Sequence, residues 1–313
     1  MKVYQYEMAS IDHPERCEDA AMTFVGDEDN APVFAAIDGM GGHQRTLADG
    51  RVITGREAAL IVRETLVEDL QHLPRDVSAD PGGEAQTKAI AAIKRAHDRI
   101  RRELNDESEH PLNQRVGAVA TVCVVCENGK RLLTAQVGDT RGYLVSGGEL
   151  LQLCYDEDNI QYLVDQGQLS EDDGATLSEI LNSYDGINEP KLSGTVQIGG
   201  NPYELYIAWR WFLVGNTVLK IPAANIVIRT LGVYDDEPTP QVSRIELSEG
   251  DRLYLCSDGA YKNLTDAEML THILEADDPA QAIGAAAYAR SQSTENRRST
   301  QDDITAVVVD LAG

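Results

Sequence analysis

The stretch Val33-Phe34-Ala35-Ala36-Ile37-Asp38-Gly39-Met40-Gly41-Gly42-His43 joins an apolar run to a carboxylate, three glycines and a histidine. A buried strand from Val33 to Ile37 delivers Asp38 to a sheet edge. The glycines permit the close backbone approach that carbonyl ligation of an ion requires. Taken alone, the same pattern serves a strand that ends in a glycine-rich turn, with Asp38 capping a loop. Four further acidic sites repeat it: Glu18-Asp19 precedes a strand, Gly138-Asp139-Thr140-Arg141 follows one, Ser257-Asp258-Gly259 follows Arg252 to Cys256, and Asp302-Asp303 precedes the last. Carboxylates brought together against buried strands repel one another unless cations intervene, so convergence of these sites implies metal. All-oxygen donors suit Mg²⁺ or Mn²⁺, and the thiolate and imidazole spacings of a zinc site are missing. Two hard cations a few ångströms apart can hold and deprotonate a water for in-line attack on phosphorus.

The elements that must position these residues are strongly β in the middle and at the end of the chain. Val3 to Ala9, Ala20 to Val25 and Val33 to Ile37 read as strands, followed by two amphipathic helices, from about Arg51 to Leu73 and after Pro81-Gly82-Gly83. His97 lies beside the apolar stripe of the second helix and reads as a packed or surface histidine. Val116 to Cys126 and Arg131 to Val137 form a hairpin turning at Asn128-Gly129, and Gly142 to Leu153 forms another. Arg244 to Leu247, Arg252 to Cys256 and Ile304 to Leu311 are further strands, the last apolar enough to be central. Thr265-Asp266-Ala267-Glu268 is a capping box, and Asp278-Pro279 starts an Ala-rich helix through Arg290. Strands grouped with strands and helices grouped in pairs predict an α+β sandwich with helical layers outside.

Residues 156–228 have a different texture. A short helix is expected from Asp158 to Gln166 and an acidic loop at Ser170-Glu171-Asp172-Asp173-Gly174. Tyr203 to Val214 alternates as one strand whose Tyr203, Leu205, Ile207, Trp209, Trp211 and Leu213 share a face, and Gly215-Asn216 turns it into Thr217 to Ile221. That face is either a local core or a partner or substrate surface.

The chain has 313 residues, with 27 Lys plus Arg against 52 Asp plus Glu and a formal net charge of −25. Such a field repels nucleic acid and anionic membranes and draws divalent cations, although most of the acids serve as a solvated surface. The five cysteines are odd in number and sit in apolar patterns, which predicts buried thiols in a reducing compartment. Cys123 and Cys126 point to opposite faces of one strand, against a dithiol or zinc role. Met1-Lys2-Val3-Tyr4-Gln5 lacks the apolar core of a signal peptide, and no apolar run is long enough to span a bilayer, so a cytoplasmic location is expected.

In this order, Glu18-Asp19, Asp38 to His43, Gly117-Ala118-Val119-Ala120-Thr121, Val137 to Tyr143, Arg229-Thr230-Leu231-Gly232, Cys256-Ser257-Asp258-Gly259 and Asp302-Asp303-Ile304-Thr305 resemble the metal-dependent protein phosphatases of the PP2C type, in their bacterial form. The resemblance covers nearly the whole chain. It implies a four-layer α-β-β-α sandwich of two antiparallel sheets flanked by helix pairs, forming one domain over 1–313 with an enlarged flap at 156–228. By position, Asp38 would bridge two Mg²⁺ or Mn²⁺ ions with the Gly39 carbonyl on the first, and Asp258 and Asp302 would hold the second. Glu18 and Asp19 fall on the acidic pair that organises metal-bound water, and Asp139 falls where bacterial members place a third, weaker metal shared with Asp258. His43 matches the general acid for the leaving seryl or threonyl oxygen. The family's phosphate-holding arginine would stand at Pro14, and Arg16 is expected to take its role by a changed turn. The usual asparagine after the last metal aspartate is Asp303, and the usual aspartate-histidine after the second hairpin is Asp156-Glu157. The implied activity is hydrolysis of phosphoserine and phosphothreonine in proteins. A regulatory module of the same fold that engages a partner through the flap hairpin around Trp209 and Trp211, and an enzyme for another phosphate ester or anhydride, are the alternatives.

Overall fold

The apolar runs become the strands of two antiparallel sheets packed face to face. A computed structural model describes residues 1–40, 44–46, 50–105, 111–167, 169–183, 191–198, 201–208, 211–214, 221–222, 227–296 and 298–311. The chain runs through β1 (Lys2–Met8), β2 (Ala20–Phe24), β3 (Val33–Gly39), the short ribbon β4 (Arg45–Thr46) and β5 (Val52–Ile53), then helices α1 (Gly55–Leu70) and α2 (Glu84–Leu104). The strands β6 (Ala118–Cys126), β7 (Arg131–Val137), β8 (Arg141–Ser146) and β9 (Glu149–Gln152) follow. Next come α3 (Asn159–Asp165), α4 (Glu171–Ser183), β10 (Lys191–Ile198), β11 (Asn201–Ala208), β12 (Trp211–Val214) and β13 (Ile221–Pro222). The chain then continues through β14 (Gln241–Glu246), β15 (Arg252–Cys256), α5 (Asp258–Tyr261), α6 (Asp266–Glu275), α7 (Pro279–Ser291) and β16 (Ile304–Asp310).

One sheet has the order β14-β7-β6-β3-β2 and the other β1-β16-β15-β8-β9. Strand alternation gives each sheet two apolar faces. Phe34, Cys123, Leu132, Leu144, Leu255 and Val307 fill the space between the sheets. Outside the first sheet, α1 and α2 cover Val33, Ala35, Ile37, Val122 and Val124. Outside the second, α5, α6 and α7 cover Tyr254, Ala306 and Val308. The layers are therefore helix, sheet, sheet, helix, as expected, and the final strand is interior to its sheet. Cys123 and Cys126 do point into different cores. His97 is a buried packed histidine whose Nδ1 accepts the Gly232 N–H at 3.1 Å. Phe34 is fully buried at the sheet-sheet interface. Phe34→Ala is expected to lower stability by about 3–5 kcal/mol through lost transfer energy and a cavity, readable as a lower urea midpoint.

Helix starts follow their capping signals. Thr54 with Glu57 caps α1, and Thr265 with Glu268 caps α6, each as a reciprocal capping box. Two expectations are corrected. The acidic loop at Ser170–Gly174 is the start of α4: Ser170 Oγ accepts the Asp173 N–H at 3.1 Å, and Glu171, Asp172 and Asp173 occupy the first turn, where the helix dipole favours negative charge. The single strand from Tyr203 to Val214 is two strands. Ala208 pairs with Trp211 and Leu205 with Val214, so 201–208 and 211–214 are antiparallel neighbours and the expected common face does not extend from one to the other. No glycine, proline or asparagine marks that reversal, which is why alternation reads straight through it. Trp209 lies outside the described residues. β10 to β13 form a four-stranded sheet of their own. Among the described residues no helix is long and apolar enough to cross a membrane.

Candidate metal centre

Each acidic residue of the predicted set stands where a strand meets a turn. Asp38 is the penultimate residue of β3, opposite Val119 of β6. Beside it, the Gly39 and Gly55 backbones touch: a Cβ on Gly39 would lie 2.4 Å from the Gly55 carbonyl carbon, so the end of β3 and the start of α1 meet only without side chains. Asp139 follows β7 through Gly138, whose φ is 93° and whose Cβ would fall 2.1 Å from Val119 Cγ1. Asp258 opens α5 directly after β15, and Asp302 and Asp303 lead into β16.

The strand ends meet. The Asp38 carboxyl is held well above the ordinary carboxylate range, first by burial and then by the charges of Asp19, Asp258, Asp302 and Asp139. Asp19 is raised in the same way, by burial and then by Asp303. Burial, reinforced by Asp258, pushes Asp302 up to about 8. Asp139 rises to about 7 through burial, with Lys262 opposing and Asp258 adding. Burial also raises Glu18, against the pull of Arg16. A protein left with these groups ionised and uncompensated would be strained.

Among the described residues no three His, Cys, Asp or Glu side chains already form a cage around one ion. The carboxylates sit within electrostatic reach of one another instead, and a lysine occupies part of the space. Two buried carboxylate oxygens of the cluster nevertheless have no hydrogen-bond partner, Asp19 Oδ2 and Asp258 Oδ1. A bare buried acceptor costs about 1–3 kcal/mol, a penalty that a hard cation would remove. The donor set is all oxygen and fits Mg²⁺ or Mn²⁺.

The structure separates the two neighbouring acids before β16. Asp303 accepts the Ser10 N–H at 2.6 Å and the Glu18 N–H at 2.5 Å, fastening the loop between β1 and β2 beside the cluster. Asp302 accepts the Asp303 N–H at 3.0 Å and is acted on by Asp258. Arg16 reaches Glu18 Oε1 with Nη2 at 3.0 Å while its buried Nε has no partner. His13 Nδ1 stands 2.8 Å from the Arg16 carbonyl, closing that turn. His43, Gly41 and Gly42 lie outside the described residues.

Several residues around the cluster were not anticipated. Lys262 Nζ is in direct contact with Asp258 Oδ2 and 3.9 Å from Asp139 Oδ2. Tyr261 donates its hydroxyl to Asp139 Oδ2 at 3.2 Å. Arg141 binds Asp156 through Nε at 2.9 Å and Nη2 at 2.6 Å, with its guanidinium 3.6 Å above the Tyr261 ring. Glu157 accepts the Gly138 N–H at 2.9 Å and a hydrogen bond from Arg229 Nη1 at 2.7 Å, joining the Asp139 turn to the segment after β13. The Asp258-Lys262 spacing of four residues was the available signal, since it brings two side chains together on one helical turn.

Two facing antiparallel sheets between helical layers, with carboxylates gathered at the strand ends, are the architecture of the metal-dependent phosphatases. The family model described as protein phosphatase 2C matches residues 9–277, and the chain belongs to that family. The serine/threonine protein phosphatase PstP of Mycobacterium tuberculosis is 26% identical over 240 residues, which are 77% of this chain and 34% of that protein. The chain thus spans about a third of the length of that curated relative. The Staphylococcus aureus serine/threonine phosphatase Stp1 shares the fold with a TM-score of 0.67 at 18% identity, over 100% of this chain and 96% of that one. The catalytic domain of PstP, in a crystal structure in complex with two manganese ions, superposes with a TM-score of 0.59 at 22% identity, over 99% and 97% of the two chains.

Proposed function

We propose that this chain is a Mg²⁺- or Mn²⁺-dependent phosphomonoesterase that hydrolyses phosphoserine and phosphothreonine in proteins. The observation that carries the reading is that Asp19, Asp139, Asp258 and Asp302 all act electrostatically on Asp38, with bare oxygens on Asp19 and Asp258. The PstP relative is named a serine/threonine protein phosphatase, which agrees with it.

In this reading Asp38, the Gly39 carbonyl, Asp258 and Asp302 would hold two ions. Bound there, the metals supply Lewis-acid neutralisation of phosphate charge and lower the pKa of water. Glu18 and Asp19 would accept hydrogen bonds from the attacking water and orient it toward phosphorus. Arg16, at the rim of the cluster and half-neutralised by Glu18, turns its guanidinium to the phosphate oxygens. His43 donates the proton to the leaving seryl or threonyl oxygen.

The insert at 156–228 acts as a flap that sets substrate or partner choice, with the β11–β12 hairpin that carries Trp211 as its contact element. All five cysteines are free, and four are buried, in keeping with a reducing cytoplasm. The test is hydrolysis of a panel of phosphoserine, phosphothreonine and phosphotyrosine peptides, an aryl phosphate and a nucleotide, with Mn²⁺ or with EDTA. Release of phosphate from the first two peptides with Mn²⁺, at least about tenfold above EDTA, is expected. Absence of metal-dependent turnover, or turnover of the nucleotide alone, would sink the reading.

A further inference from the structure

We infer that the Lys262 ammonium is the resident cation of the Asp139–Asp258 pair, taking the place of a third metal, so that this chain works with two metal ions and one built-in positive charge. The inference rests on the two-metal reading above and departs from the third-metal position that the family resemblance assigns to these two aspartates.

The geometry divides each aspartate between jobs. Asp258 Oδ2 is in contact with Lys262 Nζ, while Asp258 Oδ1 is buried without a hydrogen-bond partner and remains available to a metal. Asp139 directs Oδ2 to the Tyr261 hydroxyl at 3.2 Å and to Lys262 Nζ at 3.9 Å. Lys262 itself is largely buried, with 13% of its side chain exposed, so it is not a surface lysine that has strayed inward. Its stem is fixed because it lies one turn beyond Asp258, its N–H bonded to the Asp258 carbonyl at 2.8 Å. An ammonium at this point excludes a divalent ion by volume and by like charge.

Charge balance points the same way. Four carboxylates, Asp19, Asp139, Asp258 and Asp302, act on Asp38, which makes five negative charges. Two divalent cations and one ammonium neutralise five negative charges, whereas three divalent cations and the ammonium would leave the centre positive before phosphate arrives. Glu18 and Asp303 stand outside this count, the first paired with Arg16 and the second with backbone N–H groups. Lys262 is a positioning residue: it holds Asp258 and Asp139 in place without touching substrate.

The test is the Mn²⁺ stoichiometry by titration calorimetry and by anomalous scattering from crystals grown in excess Mn²⁺. Two ions per chain are expected for the unaltered protein and for Lys262→Arg, and three for Lys262→Asn, the additional ion lying between Asp139 and Asp258. Lys262→Asn is also expected to need a higher Mn²⁺ concentration for half-maximal turnover, by about tenfold, because its third site fills last. A third ion in the unaltered protein would overturn the inference whether or not the variants fold, as would a folded Lys262→Asn that binds two. Binding of no Mn²⁺ by the unaltered protein would overturn the two-metal reading itself, a distinguishable failure.

Discussion

Asp38→Asn is expected to lower Mn²⁺-dependent turnover of a phosphopeptide by about 10³-fold or more, some 4 kcal/mol of transition-state stabilisation, while raising the melting temperature of the metal-free protein at pH 8. The two effects have one origin. Asp38 is the carboxylate on which Asp19, Asp258, Asp302 and Asp139 all act, and in the proposed reading it is the group that would serve both ions. An amide in its place keeps the shape of the side chain and removes the charge that would bind metal. Without metal, that same charge is a liability, because burial and four neighbouring carboxylates disfavour it. Its folded pKa lies above the unfolded value, so its contribution to stability declines as pH rises. The amide does not titrate and escapes that decline. Measurement of kcat at saturating Mn²⁺ and thermal unfolding in EDTA check both halves. Unchanged turnover would remove Asp38 from the centre, and a lower melting temperature would mean that its carboxylate is a structural acceptor instead.

The same site shows what a sequence can and cannot reveal. Acidic residues at strand ends are legible because apolar runs define where strands stop, and Asp38, Asp139 and Asp258 fall where those runs imply. Capping is legible for a similar reason: Thr265 and Glu268 make a local pair that needs nothing distant. Sheet order is not local. Placing β8 between β15 and β9 depends on interactions over more than a hundred residues, and no periodicity within β8 encodes its neighbours. Lys262 escaped notice because α5 is four residues long, too short to show a helical pattern in which an i,i+4 pair stands out. Asp302 and Asp303 are chemically identical neighbours, and only the approach of the Ser10 and Glu18 N–H groups to Asp303 gives them different tasks. Within residues 156–228, charge density at Glu171 to Asp173 looks like a loop until the helix dipole is considered.

Metal removal couples these carboxylates to pH. Asp139 and Asp302 have folded pKa values pushed up to about 7 and about 8, mainly by burial, against an ordinary value near 4 when unfolded. Between those limits the folded state binds more protons than the unfolded state, so stability falls as pH rises and is lost through the folded values. His97 has the opposite sign: burial lowers its pKa, and its penalty is relieved as pH rises, an effect complete near its unfolded value of about 6.5. From pH 6.5 to 9 the aspartates therefore act without opposition from His97. Together Asp139 and Asp302 account for about 3 kcal/mol over that window, which corresponds to a fall of about 5 °C in the melting temperature of the EDTA-treated protein. Asp19 and Asp38, raised in the same direction, steepen the fall. Mn²⁺ at about a hundred times its dissociation constant contributes about 2.7 kcal/mol per site and replaces the missing positive charge, so the loaded protein should keep a nearly level melting temperature across the same range. Thermal unfolding in EDTA and in Mn²⁺ at four or five pH values measures the gap between the two curves. A metal-free melting temperature that is flat or rises above pH 6.5 would mean that the aspartates are already compensated within the protein, and that the centre does not depend on cations for its charge balance.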